Sequence, residues 1–119
     1  MKKLALALTL ACLLCPASTR AQNAYITNQN SNTVSVIDTA TDTVIATIPV
    51  GLSPFGVAVS PDGSKVYVAN TGANTLSVID TATNTVSATV PVGFGPRGVA
   101  VKPDRSKVYV AVQLSTPYR

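Results

Sequence analysis

The residues best suited to contact a ligand are those that interrupt an otherwise regular sequence repeat of 42 residues. Arg97 stands where the preceding unit has Phe55, and Phe94 stands where that unit has a leucine. The planar donor set of a guanidinium binds anions and phosphates well. Asn70 and Asn74 add amides that can hydrogen-bond a polar ligand. We expect a candidate binding site formed by Phe55, Asn70, Asn74, Phe94 and Arg97.

These side chains also have simpler interpretations. A single arginine in a loop is commonly a solvated charge, and loop asparagines commonly satisfy neighbouring backbone groups. The tyrosines that recur at 25, 67 and 109 can be read as an aromatic platform, but their strict spacing favours packing between repeats.

Most catalytic arrangements are excluded by composition. The chain has no histidine and no glutamate, and its two cysteines, Cys12 and Cys15, both lie near the N-terminus. No Ser-His-Asp or Cys-His set is therefore available. The five aspartates lie at turns, where each is expected to accept backbone N–H groups and not to hold a cation. We expect no metal, no cofactor and no enzymatic activity.

The first 21 residues have the layout of a secretory signal peptide. Lys2 and Lys3 precede an apolar run of 11 residues, 4–14, and small residues allow cleavage after Ala21. A membrane span needs about 20 apolar residues, so no stable span is predicted. Lipidation at Cys12 is the alternative, which the preceding residues fit only partly. We expect export to the periplasm, the cell surface or the medium.

Cleavage would also change the charge of the protein. The whole chain carries +4, but the 98 residues after Ala21 hold six basic and five acidic side chains, a net charge of +1. Binding to nucleic acid is therefore not supported. The expected partner is an unknown protein or small ligand.

The 42-residue repeat predicts the fold. Residues 25–66 and 67–108 are identical at 28 of 42 positions. Periods near 40 occur in helical solenoids and in propellers, but the runs here are short and rich in Val, Ile and Thr, with turn residues between them. Four such strands per unit form one antiparallel blade of a β-propeller. Nine strands are predicted, at 24–28, 33–38, 43–48, 56–60, 65–70, 75–80, 85–90, 98–102 and 107–112.

Three motifs carry a family resemblance: Tyr67-Val-Ala-Asn70, Val-Ile-Asp-Thr-Ala-Thr, and Gly56-Val-Ala-Val-Ser-Pro-Asp-Gly63. They resemble the YVTN-type β-propeller repeat, whose family includes exported YncE-like proteins and surface-layer proteins. The resemblance implies an all-β fold and binding at the face formed by loops 29–32, 49–55, 71–74 and 91–97. It also leaves open a lactonase-like enzyme or a dehydrogenase subunit, because propellers serve all these functions.

The strands make a partial blade at 24–48, a full blade at 56–90 and a partial blade at 98–112. A closed propeller needs about four to eight blades, so apolar faces are expected to be exposed and to favour self-association. A fragment of a larger propeller is the first interpretation, since residues 114–119 match no earlier unit. A self-assembling ring and an open two-blade unit are the alternatives. The expected function is that of an exported, non-enzymatic binding scaffold.

Overall fold

The computed structural model describes residues 22–113, and within that range every regular element is a β-strand. The predicted all-β fold of partial propeller blades is confirmed. The predicted signal peptide lies outside the described residues. The strands are β1 Asn23–Asn28, β2 Thr33–Asp38, β3 Thr43–Pro49, β4 Pro54–Val59, β5 Lys65–Asn70, β6 Thr75–Asp80, β7 Thr85–Pro91, β8 Pro96–Val101 and β9 Val108–Val112.

The nine strands form three antiparallel sheets that follow the sequence order. The first sheet is β1-β2-β3, the second is β4-β5-β6-β7, and the third is β8-β9. Strands β4 and β8 begin at Pro54 and Pro96, two residues before the predicted starts. Proline is tolerated at the first position of a strand because its missing N–H is not needed there. Pro49 and Pro91 end their strands, as predicted.

The core lies between the first and second sheets. Val34, Val36 and Ile48 from the first sheet pack with Val66, Val68 and Ile79 from the second, and Tyr25 packs at the margin of this cluster. Each of these valines is fully buried. Two neighbouring blades thus bury the alternating apolar side chains that neither blade covers alone.

The innermost strands of the second and third sheets approach so closely that no side chain fits between them at one point. A Cβ atom at Gly56 would collide with the backbone carbonyl oxygen of Arg97. The repeat-equivalent Gly98 has only ordinary contact, 3.7 Å from such a Cβ to the Ala111 side chain. Glycine at position 56 is therefore required by the contact between the two sheets.

The hairpin between β8 and β9 contains a strained residue. Arg105 has a φ of +65°, close to the +76° of the repeat-equivalent Gly63. An L-residue in this region costs about 1 kcal/mol relative to glycine.

Candidate functional site

Two sets of loops meet on one face of the sheets, which we call the loop face. It consists of loops 29–32, 50–53, 71–74 and 92–95 and of the first two residues of β4 and β8, 54–55 and 96–97. Hydrogen bonds join the two sets directly: the Val50 N–H donates to the Asn32 carbonyl at 3.0 Å, and the Val92 N–H donates to the Asn74 carbonyl at 3.0 Å. The prediction that these loops share a face is confirmed. The opposite ends of the strands form a second face, which we call the turn face. It consists of the turns between β2 and β3, β4 and β5, β6 and β7, and β8 and β9.

Uncharged side chains tie successive units together on the loop face. The Asn32 Oδ1 accepts from the Ser53 N–H at 2.9 Å, and the Asn74 Oδ1 accepts from the Gly95 N–H at 2.9 Å. Thr71 Oγ1 donates to the Pro96 carbonyl at 2.6 Å. Asn74 therefore holds a loop in place through its side chain, which matches the simpler interpretation of this residue.

Asn70 does not lie at the surface. Its side chain is fully buried, and its Nδ2 donates to Ser77 Oγ at 2.8 Å and to Thr75 Oγ1 at 3.1 Å. A Cβ on Gly51 would approach the Asn70 amide to 2.8 Å, so the amide packs directly on that glycine. Its Oδ1 has no hydrogen-bond partner in the described residues. Asn70 thus holds the end of β5 against the loop that precedes β4.

Phe55 and Arg97 are brought together, as repeat-equivalent residues on adjacent inner strands. Each follows a buried proline, Pro54 or Pro96, and points away from it at the start of its strand. The Arg97 guanidinium carbon lies 5.1 Å from the centroid of the Phe55 ring. This distance allows a cation–π interaction.

Gln113 completes the surroundings of Arg97 and was not predicted as a site residue. With the amide oxygen turned toward the guanidinium, Gln113 Oε1 accepts from Arg97 Nε at 2.7 Å and from Nη2 at 3.0 Å. The Gln113 backbone N–H donates to the Phe94 carbonyl at 2.9 Å, which fixes its position beside the loop. No earlier unit has a counterpart of Gln113 with an arginine beside it, so the repeat gives no signal for this contact.

Three exposed apolar side chains share the loop face with this arginine. Phe55, Phe94 and Leu52 are each about half exposed, at 48%, 53% and 56%. Leu52 is the repeat equivalent of Phe94, and this correspondence was the available signal for including it. We call Leu52, Phe55, Phe94 and Arg97 the loop-face patch.

Charge is divided unequally between the two faces of the described chain. Arg97, at the start of β8, is the one charged side chain on the loop face within residues 22–113. The turn face carries the other nine charged side chains of residues 22–113, which are Asp38, Asp42, Asp62, Asp80, Asp104, Lys65, Lys102, Arg105 and Lys107.

Four of the five aspartates of the turn face, Asp38, Asp62, Asp80 and Asp104, accept a backbone N–H of their own turn, as predicted. Asp38 Oδ1 accepts from the Ala40 N–H at 2.9 Å, and Asp80 Oδ1 accepts from the Ala82 N–H at 2.9 Å. Hydrogen bonds from Ser60 and Ser64, with a smaller contribution from the Arg105 charge, hold the pKa of Asp62 well below its usual range. Hydrogen bonds from Ser106 lower the pKa of Asp104.

One ion pair joins two units on the turn face. Arg105 Nη1 lies 2.6 Å from Asp62 Oδ2, across the boundary between the second and third sheets. Within the described chain Lys102 alone pairs with Asp104, at 3.7 Å. Arg105 therefore links neighbouring units.

Comparison with known proteins agrees with this architecture. A family model described as YNCE-like beta-propeller matches residues 4–115. The chain belongs to this family of β-propellers.

Solved structures with the same fold include enzymes and a protein without an assigned function. Hydrazine synthase of Kuenenia stuttgartiensis is 32% identical with a TM-score of 0.75, over 76% of this chain and 26% of that chain. A functionally unknown protein from Desulfotomaculum acetoxidans is 26% identical with a TM-score of 0.70, over 76% and 31%. The dihydro-heme d1 dehydrogenase NirN is 27% identical with a TM-score of 0.68, over 76% and 20%.

A protein of Mycobacterium tuberculosis, the PE-PGRS family protein PE_PGRS18, is 64% identical over 39 residues. The match covers 33% of this chain and 8% of that protein. This chain therefore spans less than a third of the length of each of these similar proteins.

Proposed function

We propose that this protein is a non-enzymatic binding scaffold whose loop-face patch recognises an apolar partner bearing a carboxylate. The observation that carries the proposal is the isolation of Arg97: one cation, packed on Phe55, shares a face with three half-exposed apolar side chains and no other described charge. Apolar surface supplies affinity through burial, and a single fixed charge orients the partner.

The contacts of Arg97 suit a carboxylate. A carboxylate accepts two parallel N–H bonds from one edge of a guanidinium. On Arg97 that edge, Nε with Nη2, is the one that Gln113 Oε1 now occupies. A ligand carboxylate would replace a neutral amide oxygen by a charged acceptor. The Phe55 ring beneath the guanidinium keeps its plane fixed for this exchange.

Sodium benzoate is a suitable probe, because it combines an aromatic ring with a carboxylate. We expect a titration of the ¹⁵N-labelled full chain, followed by NMR, to shift the signals of Phe55, Phe94 and the Arg97 Nε–H group. Benzamide, which lacks the charge, should bind more weakly. The proposal is wrong if benzoate shifts no loop-face signal.

Two variants separate binding at the patch from general attraction of an anion. Arg97→Gln should abolish the benzoate response. Gln113→Ala should strengthen binding about fivefold, since it removes a competing hydrogen bond worth about 1 kcal/mol. Arg105→Gln removes a cation from the turn face and serves as the matched control, with no expected change. Equal binding by the Arg97→Gln and Arg105→Gln variants would contradict the proposal.

An enzymatic role is the competing function, because two similar structures are named as an enzyme, hydrazine synthase, and a dehydrogenase. The loop face offers no carboxylate within residues 22–113 that could act as a general base beside Arg97. We expect the full chain to leave γ-butyrolactone unhydrolysed above the buffer rate. Hydrolysis that Arg97→Gln abolishes would favour the lactonase-like alternative.

Export is part of the same proposal. It is supported by the basic start, apolar run and small residues of segment 1–21, and residues 22–113 contain no helix long and apolar enough to cross a membrane. Mass spectrometry of protein from a fractionated host should find an N-terminus at Gln22 outside the cytoplasm. A full-length chain retained in the cytoplasm would contradict export.

A further inference from the structure

Each blade of the described chain has two different apolar faces. In the second sheet, Val66, Val68 and Ile79 share the face that packs against the first sheet. We call this surface, in any sheet, the Val face. The first sheet packs against the Val face through Tyr25 and Val36, which are cross-strand neighbours in β1 and β2. We call this second surface the Tyr face.

One face of each kind remains exposed at the two ends of the described chain. The Val face of the first sheet contains Ile26 and Val44, which are 48% and 59% exposed. Their repeat equivalents are Val68, which is fully buried, and Val86, which packs against the core. The Tyr face of the third sheet contains Tyr109, which is 57% exposed.

We propose that these two faces dock on each other between two copies of this chain, head to tail. The first sheet of one copy would place its Val face on the Tyr face of the third sheet of the other. The chain already makes this type of contact internally, where a Tyr face covers Val68 completely. Because the sequence repeats, each copy therefore carries a Tyr face that matches the exposed Val face of the other copy.

The number of sheets allows such a pair to close. Residues 22–113 of each copy contribute three sheets, so two copies provide six positions around one axis. Closed propellers contain about four to eight blades. A two-fold axis along the centre of the ring would make both contacts identical, so that no Ile26 or Tyr109 face remains free to extend a filament.

Light scattering after size-exclusion chromatography of the full chain, over a hundredfold range of concentration, tests the proposal. We expect twice the mass of one chain, falling to a single mass on dilution. Ile26→Lys and Tyr109→Lys should each give a monomer, because each residue takes part in both contacts. Ile45→Lys is the matched control: Ile45 is 52% exposed, and its repeat equivalent is the exposed Ser87, so the dimer should persist.

Hydrogen exchange of the unmodified chain provides a test that does not depend on the folding of variants. Amides of β1 and β9 should gain protection as concentration rises, whereas those of the buried strand β5 should not change. A monomer at every concentration would overturn the proposal, as would a dimer that survives either face substitution. A dimer abolished by Ile26→Lys alone would show contact between two identical faces and would also overturn it.

Discussion

The loop face and the turn face join the same sheets by different chemistry. On the loop face the links are neutral hydrogen bonds, such as that from the Gly95 N–H to Asn74. On the turn face the link between the second and third sheets is the exposed ion pair of Arg105 with Asp62. Neutral hydrogen bonds respond little to salt or pH. Exposed ion pairs between aspartate and arginine weaken at high salt and at low pH. The stabilising contributions of the links on the two faces should therefore be distinguishable by varying salt and pH.

The largest expected effect comes from Gly56, beside the loop face. Gly56→Ala should lower the free energy of unfolding by about 3 kcal/mol, because the added methyl group forces the β8 backbone away. Urea unfolding measures this loss. Gly98→Ala is the matched control and should change stability by less than about 0.5 kcal/mol, since its Cβ meets only ordinary contact. Similar losses in both variants would show that the close approach of the strands is not the cause.

Asn74 tests the neutral links of the loop face. Asn74→Ala should cost about 2 kcal/mol, because it leaves the Gly95 N–H without its acceptor and places alanine at a φ of +58°. Asn74→Gly tolerates that φ and should isolate the hydrogen-bond loss, about half of the total. Both losses should be the same in 0.05 M and 1 M salt. A strong dependence on salt would contradict the assignment of neutral links to this face.

Acid tests the turn face. The pKa values of Asp62 and Asp104 are lowered in the folded chain, so their stabilising contribution is complete above the unfolded value of about 4 and is lost as pH falls below it. The urea midpoint should therefore decrease between pH 4 and pH 2. Ser60→Ala removes the largest cause of the Asp62 shift, so the decrease should be smaller and should end at a higher pH. An unchanged acid profile in Ser60→Ala would contradict the role of that hydrogen bond.

Arg105 should give the smallest effect. Arg105→Gly relieves a φ of +65°, worth about 1 kcal/mol, and loses an exposed ion pair that offsets only part of this gain. We expect a slightly higher urea midpoint at low salt and a larger increase at 1 M salt, where the ion pair is screened. A destabilised variant at high salt would show that the strain at Arg105 is smaller than its backbone angle indicates.

The repeat made most of the fold predictable and also held a signal that the site prediction did not use. The regular spacing of tyrosines, prolines and turn residues predicted where the strands lie. It also predicted which loops lie on the same face. Asn70 and Asn74 recur 42 residues earlier as Asn28 and Asn32. Recurrent residues serve the blade, and both asparagines prove to be structural. Phe55 and Arg97 differ between units, and they alone of the candidates form a direct side-chain contact.

The remaining contacts depend on details that spacing does not encode. The pairing of Arg105 with Asp62 requires a long side chain to cross from one sheet to the next. Arg105 pairs with Asp62 and not with the adjacent Asp104 because of the direction in which its side chain extends. Gln113 reaches Arg97 from a segment that departs from the repeat. Both contacts arise from side-chain reach between units, which only the packed structure defines.

The missing side chain at Gly56 has a geometric consequence for the whole array. It brings the inner strands of the second and third sheets into backbone contact, whereas the outer strands β3 and β7 hold Ile48 and Val86 between the first and second sheets. The spacing between neighbouring sheets is therefore narrow at the axis and wider at the rim. Because the rotation per repeat sets curvature, this one glycine helps decide how sharply the array bends. A bulkier residue here would give a flatter arc with a wider centre.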